Sequence, residues 1–154
     1  MKPQNRSSLI IAILIPLAVG SFSALISGNM ALYSTINKPA FSPPSIVFPI
    51  VWTILYVLMG ISSYIIYSSD SADKTRALKI YALQLFFNFC WSILFFRYNL
   101  YLLSFLWLVI LIVLICIMIK DFYKINPAAA YLQIPYLLWC IFAAFLNFSI
   151  YTMN

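Results

Sequence analysis

Five apolar stretches, each about long enough to cross a lipid bilayer, fill almost all of the 154-residue chain. They cover approximately residues 9–27, 46–67, 78–96, 101–119 and 128–152. A helix needs about 20 predominantly apolar residues to span the hydrocarbon core. The pattern therefore predicts an all-α integral membrane protein, in which residues 1–154 form a single domain built as a bundle of five transmembrane helices.

The amino-acid composition supports this prediction. The chain is 65% hydrophobic and only 8% charged, whereas a soluble domain carries about 25% charged residues. Lys2 and Arg6 precede the first stretch, as basic residues precede a signal peptide. The stretch is longer than a usual signal-peptide core and no small-residue cleavage site follows, so we expect a retained first helix.

The basic residues are distributed unevenly between the two ends of the predicted bundle. If the chain crosses the membrane five times, seven Lys and Arg residues lie on the side of the N-terminus and two, Lys38 and Arg97, on the other. Such an excess marks the cytoplasmic side. We therefore expect a multi-pass protein of the cell membrane, with its N-terminus cytoplasmic and its C-terminus outside. The cations are dispersed over short loops, which indicates membrane lipid rather than nucleic acid as their partner.

The residue types that are missing exclude several kinds of chemistry. The chain has no histidine, which excludes Ser-His-Asp catalysis and a His-ligated haem. Its three cysteines, Cys90, Cys116 and Cys140, lie inside apolar stretches and are interpreted as small buried side chains. We therefore expect no metal site and no required cofactor.

The first loop, residues 28–45, is unusually long for a helix connection. Pro39, Pro43 and Pro44 restrict its backbone, and its aromatic residues are untypical of a disordered linker. This composition favours a stiff lid over the bundle end, formed by Lys38, Pro39, Phe41 and Pro44. The alternative is a loop that only packs there.

Aromatic and amide side chains recur at helical spacing on three of the helices, so that they share a face. These residues are Trp52 and Tyr56 on the second helix, Gln84, Asn88 and Trp91 on the third, and Trp139, Phe142, Ala143, Leu146 and Asn147 on the fifth. Amides are costly in hydrocarbon unless they are hydrogen-bonded. They either bond neighbouring helices or serve as polar handles in an aromatic ligand pocket.

The order of these residues resembles a known family signature. The motif reads Tyr33, Lys38-Pro39, Pro43-Pro44, Phe48-Pro49, Trp52-Thr53, Leu55-Tyr56 and Met59-Gly60. It continues with the residues named above on the third and fifth helices. It resembles the TspO/MBR family, which comprises the bacterial tryptophan-rich sensory proteins and the mitochondrial translocator protein, once called the peripheral benzodiazepine receptor. Leu32 and Phe41 stand where many members have tryptophan. The C-terminus lacks the Tyr-x-x-Arg pattern of animal members, which makes cholesterol a poor candidate ligand.

The resemblance implies a receptor or sensor that binds porphyrin or haem, and also benzodiazepine-type or isoquinoline carboxamide compounds, among the helices and under the first loop. The implied ligand-binding residues are Tyr33, Pro43, Trp52, Tyr56, Gln84, Asn88, Trp91, Trp139, Phe142, Ala143, Leu146 and Asn147. It also implies a homodimer. Gly20, Ala24 and Gly28 form a small-residue stripe on the first helix that suits either a dimer seam or packing within one bundle.

Two further functions stay open. The family has been linked to light- and oxygen-dependent porphyrin breakdown, for which Trp52 and Trp139 are the candidate redox partners. A tetrapyrrole or sterol transporter is favoured least, because the sequence shows no inverted repeat.

The charge asymmetry generates a test of orientation. In intact cells, an impermeant thiol reagent should label Ser34→Cys in the first loop but not Ser71→Cys in the second. Permeabilised cells provide the control in which both variants react. Labelling of Ser71→Cys alone in intact cells would reverse the predicted orientation.

Overall fold

The computed structural model describes residues 5–28 and 33–154. In this part of the chain the regular elements are helical: α1 Arg6–Ser27, α2 Val47–Tyr67, α3 Lys74–Ser92, α4 Tyr101–Ile125, α5 Pro127–Tyr131 and α6 Ile134–Met153. A wide helical turn, Ile93–Arg97, continues α3. Five helical segments are long and apolar enough to cross a membrane, the fifth being α5 and α6 together. The all-α, five-span architecture expected from the sequence is thus confirmed.

The helix ends follow local chemistry and extend beyond the apolar stretches. The Asn5 side chain accepts a hydrogen bond from the Ser7 amide at 3.0 Å and so caps α1. The Asn126 side chain caps α5 in the same way through the Ala128 amide at 2.9 Å. Pro127 has no backbone N–H, but at the start of α5 this causes no loss, because an N–H there would have no partner within the helix.

Two spans are irregular. In the turn after α3, the Tyr98 amide bonds the Ile93 carbonyl five residues back, at 3.2 Å, a wide turn often found at functional sites. The fifth span, expected as one helix over 128–152, is divided at Leu132 and Gln133, and Pro135 lies in the first turn of α6.

The helices close into a ring in which α1 contacts α2 and α3, α3 contacts α4, and α4 contacts α5 and α6. α2 closes the ring by contacting α3 and α5. Gly60 permits the close approach of α1 and α2, because a Cβ there would lie 2.7 Å from the Ala12 carbonyl oxygen. Much of the outer surface is apolar, with Phe22 63% and Leu25 77% exposed on α1, as expected of side chains in contact with lipid.

Charge differs between the two ends of the ring. The end that holds the start of α1 carries Arg6, Lys74, Arg76, Lys79, Lys120 and Lys124, whereas the end that holds the first loop carries Lys38 and Arg97. Lys2 lies outside the described residues. At the first-loop end, the Arg97 guanidinium donates to the Ile26 carbonyl at 2.9 Å and joins the α3–α4 turn to the end of α1.

Candidate functional site

A buried hydrogen-bond network crosses the centre of the bundle and joins α2, α3 and α6. The Tyr56 hydroxyl donates to Asn88 Oδ1 at 2.7 Å, and Asn88 Nδ2 donates to the Tyr136 oxygen at 3.0 Å. The Tyr136 hydroxyl then donates to Gln84 Oε1 at 2.7 Å. Each of these side chains is at most 8% exposed. Asn88 and Gln84 therefore join helices and are not exposed to a ligand in this conformation.

A second network lies nearer the first-loop end. The Trp91 indole donates to Asn147 Oδ1 at 3.1 Å, and the Ser104 hydroxyl donates to the same oxygen at 3.1 Å. Asn147 Nδ2 donates to the Tyr101 carbonyl at 2.8 Å. Asn147 thereby fixes the Trp91 ring and joins α3, α4 and α6.

The larger space near these networks is a half-open cavity of about 180 Å³ between α1, α2 and the end of α3, here called the α1–α2 cavity. Trp52, Tyr56 and Trp91 form its aromatic wall, opposite Gly20 and Ala24 of α1. Four residues with hydroxyl groups also line it: Ser21, Ser27, Thr53 and Ser92.

The aromatic wall is a continuous cluster. The Trp52 ring stacks on Tyr56 with centroids 5.4 Å apart and lies 6.3 Å from Trp91. Trp52 also meets the edge of Tyr136 at 6.1 Å. The Trp52 face is therefore backed by the first network, which limits its rotation.

The space under the first loop, here called the loop pocket, is almost filled by protein side chains. Its volume is about 10 Å³, about what one water molecule requires. Its walls include side chains of the loop, α2, α3 and α6. Those expected from the sequence are Tyr33, Trp91, Trp139, Ala143, Leu146 and Asn147, and Phe48, Phe95 and Phe96 complete the set.

Trp139 lines this pocket, and Phe142 lies behind it. The Trp139 ring is 6.0 Å from Phe48 and 5.3 Å from Phe142. Its indole nitrogen is buried and has no hydrogen-bond partner among residues 5–28 and 33–154. Phe41 of the loop meets Phe142 at 6.3 Å while remaining 55% exposed.

Tyr33 anchors the first loop. Its ring meets Phe48 edge-on at 5.0 Å, and its hydroxyl donates to the Pro43 carbonyl at 3.2 Å. The Lys38 ammonium donates a hydrogen bond to the Tyr33 carbonyl at 2.5 Å and lies 4.5 Å from the centre of the Tyr33 ring. Burial raises the pKa of the Tyr33 phenol, so the phenol stays a neutral hydrogen-bond donor to higher pH than an exposed tyrosine.

Residues 37–47 are held by backbone turns and are joined to the end of α6. The Pro39 carbonyl accepts from the Ser42 amide at 3.1 Å, and the Pro44 carbonyl from the Val47 amide at 3.0 Å. The Asn37 amide donates to Asn154 Oδ1 at 3.2 Å, and Asn154 Nδ2 donates to the Asn37 carbonyl at 2.9 Å. The described part of the loop is thus an ordered cover over the bundle end.

Comparison with known proteins identifies the family. The family model described as TspO/MBR matches residues 12–153. The chain belongs to the TspO/MBR family. Its similarity to the tryptophan-rich protein TspO of Archaeoglobus fulgidus is 34% identity over 97% of this chain and 99% of the relative. It is 31% identical to the tryptophan-rich sensory protein of Cereibacter sphaeroides, over 79% of this chain and 76% of that protein. It is 33% identical to the translocator protein of Sus scrofa, over 79% of this chain and 74% of that protein.

The structure divides the residues proposed from the family resemblance into two groups around one shared wall. Trp52 and Tyr56 face the α1–α2 cavity, Tyr33, Trp139 and Ala143 face the loop pocket, and Trp91 lines both spaces.

Some lining residues were not recognised from the sequence. Phe48 separates the two spaces, although its Phe-Pro motif was noted. Gly20 was read only as part of a small-residue stripe, yet a Cβ there would lie 2.6 Å from Tyr56 Cζ. The signal that could have found it is the small residue itself, since a bulky partner on the facing helix needs that space.

The central network predicts a stability effect at Tyr136. Tyr136→Phe removes two hydrogen bonds and leaves Asn88 and Gln84 with unpaired polar atoms, so it should lower the free energy of unfolding by about 1–3 kcal/mol. Thermal unfolding in detergent measures this loss. Tyr131→Phe is the matched control, because Tyr131 is 62% exposed; equal stability of the two variants would contradict the assigned role.

Proposed function

We propose that this protein is a membrane receptor or sensor for tetrapyrroles such as porphyrin or haem, and that benzodiazepine-type and isoquinoline carboxamide compounds bind at the same site. The names of two relatives, tryptophan-rich sensory protein and translocator protein, support a receptor role. The observation that carries the proposal is the wall of Trp52, Tyr56 and Trp91 facing a cavity inside the membrane-spanning bundle.

The chemistry of the cavity suits a flat aromatic amphiphile. Stacking on indole and phenol faces favours planar rings, and a few hydroxyl groups in an apolar lining are typical of small-molecule sites. Ser21, Thr53 and Ser92 provide such groups.

The size of the cavity requires a conformational step. A volume of about 180 Å³ is below the roughly 300–1,000 Å³ of most ligand pockets. Phe48, Trp91 and Phe96 form a wall common to this cavity and the loop pocket. We propose that the loop acts as a lid: when Tyr33 lifts from Phe48, the Phe48 ring rotates and the two spaces join.

The same movement changes the surroundings of Lys38. In the closed loop its ammonium is bonded to the Tyr33 carbonyl. Lifting the loop releases this ammonium, and we propose that it then pairs with a ligand carboxylate such as a porphyrin propionate.

Filling either space should weaken binding if the two join around one ligand. Ala24→Phe occupies the α1–α2 cavity and Ala143→Thr crowds the loop pocket, so each should cost about 1–3 kcal/mol of binding free energy. Titration of purified protein with protoporphyrin IX in the dark, followed by the Soret band, measures the affinity. Trp107→Phe is the control, because Trp107 stacks on Phe87 at 4.4 Å, away from both spaces.

Unchanged affinity in both folded variants would contradict the proposed site. A loss in Ala24→Phe alone would restrict the ligand to the α1–α2 cavity, and a loss in Ala143→Thr alone would restrict it to the space under the loop.

The second candidate function is light- and oxygen-dependent porphyrin breakdown. The close aromatic cluster around Trp52 favours it, because indoles 6.3 Å apart at Trp52 and Trp91 can share an oxidising equivalent. In this proposal the photo-excited ring accepts an electron from the Trp52 or Trp139 indole and passes it to dioxygen, which becomes superoxide. The indole radical cation then recovers an electron from the ring, and the resulting ring radical cation combines with the superoxide, so that both oxygen atoms of the dioxygen enter the ring.

Tryptophan variants distinguish binding from this chemistry. Trp52→Phe and Trp139→Phe keep an aromatic face but remove the readily oxidised indole. They should therefore bind protoporphyrin IX in the dark nearly as well as the parent protein and lose its Soret band much more slowly under illumination. Parent-like bleaching in both variants would show the indoles to be unnecessary, and parent bleaching no faster than in detergent alone would exclude the enzymatic function.

The proposal includes the cell-membrane location with a cytoplasmic N-terminus, and a homodimer, which the family resemblance implies. A Cβ at Gly20 would meet Tyr56 of the same bundle, which supports packing within one bundle as the role of this residue.

A further inference from the structure

The residue that follows α6 holds the first loop by two hydrogen bonds to one backbone position. Asn154 Oδ1 accepts from the Asn37 amide at 3.2 Å, and Asn154 Nδ2 donates to the Asn37 carbonyl at 2.9 Å. The planar carboxamide thus pairs with both backbone groups of Asn37, as a residue of a neighbouring strand would. This pairing needs a donor and an acceptor on one planar group, which Asn and Gln provide and a carboxylate does not.

The same carboxamide is also attached to α6. Asn154 Nδ2 donates to the Ile150 carbonyl at 2.8 Å, in the last turn of the helix, where carbonyl groups run out of partners within the helix. The Ile150 side chain is fully buried. Asn154 is therefore anchored on a well-packed part of the bundle and can hold a more movable segment against it.

The loop returns one bond to the helix end. Asn37 Nδ2 donates to the Met153 carbonyl at 3.4 Å, and the neighbouring Ile36 packs against the hydrophobic core. The side chain of each asparagine therefore bonds the backbone of the opposite segment, so that separating the loop from α6 breaks three hydrogen bonds together.

The attachment lies next to the contacts that keep the loop closed. Asn37 directly precedes Lys38, whose ammonium donates to the Tyr33 carbonyl. Because Pro39 follows, the backbone of Lys38 is restricted to extended conformations. The Tyr33 ring in turn meets Phe48. A backbone held at Asn37 thus keeps Lys38 near Tyr33 and favours the closed loop.

The position of the pair allows it to open. Asn37 and Asn154 are both exposed, so water competes for their polar groups and the net gain from each bond is small. Bonds of this kind bias a loop towards closure without preventing the opening that ligand exchange requires.

We propose that Asn154 is the latch of the first loop: its carboxamide positions Asn37 in the closed lid, and the lid opens when this pair breaks. The inference rests on the lid motion proposed above. Asn154 is a positioning residue, because it lines neither of the two spaces assigned to the ligand.

A thiol placed under the loop measures opening without any ligand. Ala143 lines the loop pocket and is 4% exposed, so a charged, water-soluble thiol reagent should reach Ala143→Cys only when the loop lifts. The full chain with Ala143 retained gives the background from the native cysteines.

Variants of the latch should change this reactivity in a defined order. Asn154→Ala should raise the modification rate about fivefold without lowering the unfolding temperature. Asn154→Asp should raise it at least as much, because a carboxylate cannot donate to the Asn37 carbonyl. Thr152→Ala is the matched control and should react like the parent, because Thr152 is exposed in the same turn and its hydroxyl donates to the Ser149 carbonyl within α6.

Parent-like reactivity in Asn154→Ala, or an equal increase in Thr152→Ala, would overturn the proposal. Parent-like reactivity in Asn154→Asp would also overturn it, since the loop would then be held without the donor. If Ala143→Cys does not fold, hydrogen–deuterium exchange of residues 37–47 decides, and Asn154→Ala should exchange faster than the parent. A parent protein that binds no protoporphyrin IX would contradict the ligand proposed above but not the latch, because neither measurement uses a ligand.

Discussion

The structure depends on one constraint: a polar group placed in hydrocarbon must find its hydrogen-bond partner inside the bundle. Tyr136 meets this requirement at the centre, because its hydroxyl both accepts from Asn88 and donates to Gln84. Tyr56 extends the network to α2. Interhelical hydrogen bonds in membranes are worth only about 0.6 kcal/mol each on average, so their main effect is to select one rotation of each helix. That selection turns Trp52 and Trp91 towards the same cavity.

Fixing the polar groups in this way separates rigid from movable parts of the site. Trp91 is fixed by Asn147, and Asn147 is fixed in turn by Ser104 and the Tyr101 carbonyl. The Phe48 side chain, by contrast, forms no hydrogen bond and packs against the rings of Tyr33 and Trp139. A ligand that enlarges the site therefore encounters less resistance at Phe48 than at Trp91.

Periodicity and length made the fold predictable, because a chain that crosses a bilayer has few choices: about 20 apolar residues form a helix, and short loops make neighbours antiparallel. Helical spacing also predicted that Asn88, Trp91 and Asn147 face inwards, and all three are at most 5% exposed. It could not predict whether the amides meet a ligand or each other, since that depends on helix rotation. Nor could it show that Phe48 fills the space under the loop, because side-chain packing depends on contacts distant in sequence.

The irregular turn after α3 shows how local backbone geometry affects the cavity. One extra residue in a helical turn rotates the residues that follow it by about 100° relative to a regular α-helix. Here the wide turn, Ile93–Arg97, begins after Trp91 and includes Phe96, and both of these rings line the α1–α2 cavity and the loop pocket. A regular helix would direct Phe96 to a different side of α3, and the wall common to the two spaces would lose that ring. The wide turn thus determines which aromatic side chains separate the cavity within the bundle from the pocket under its loop.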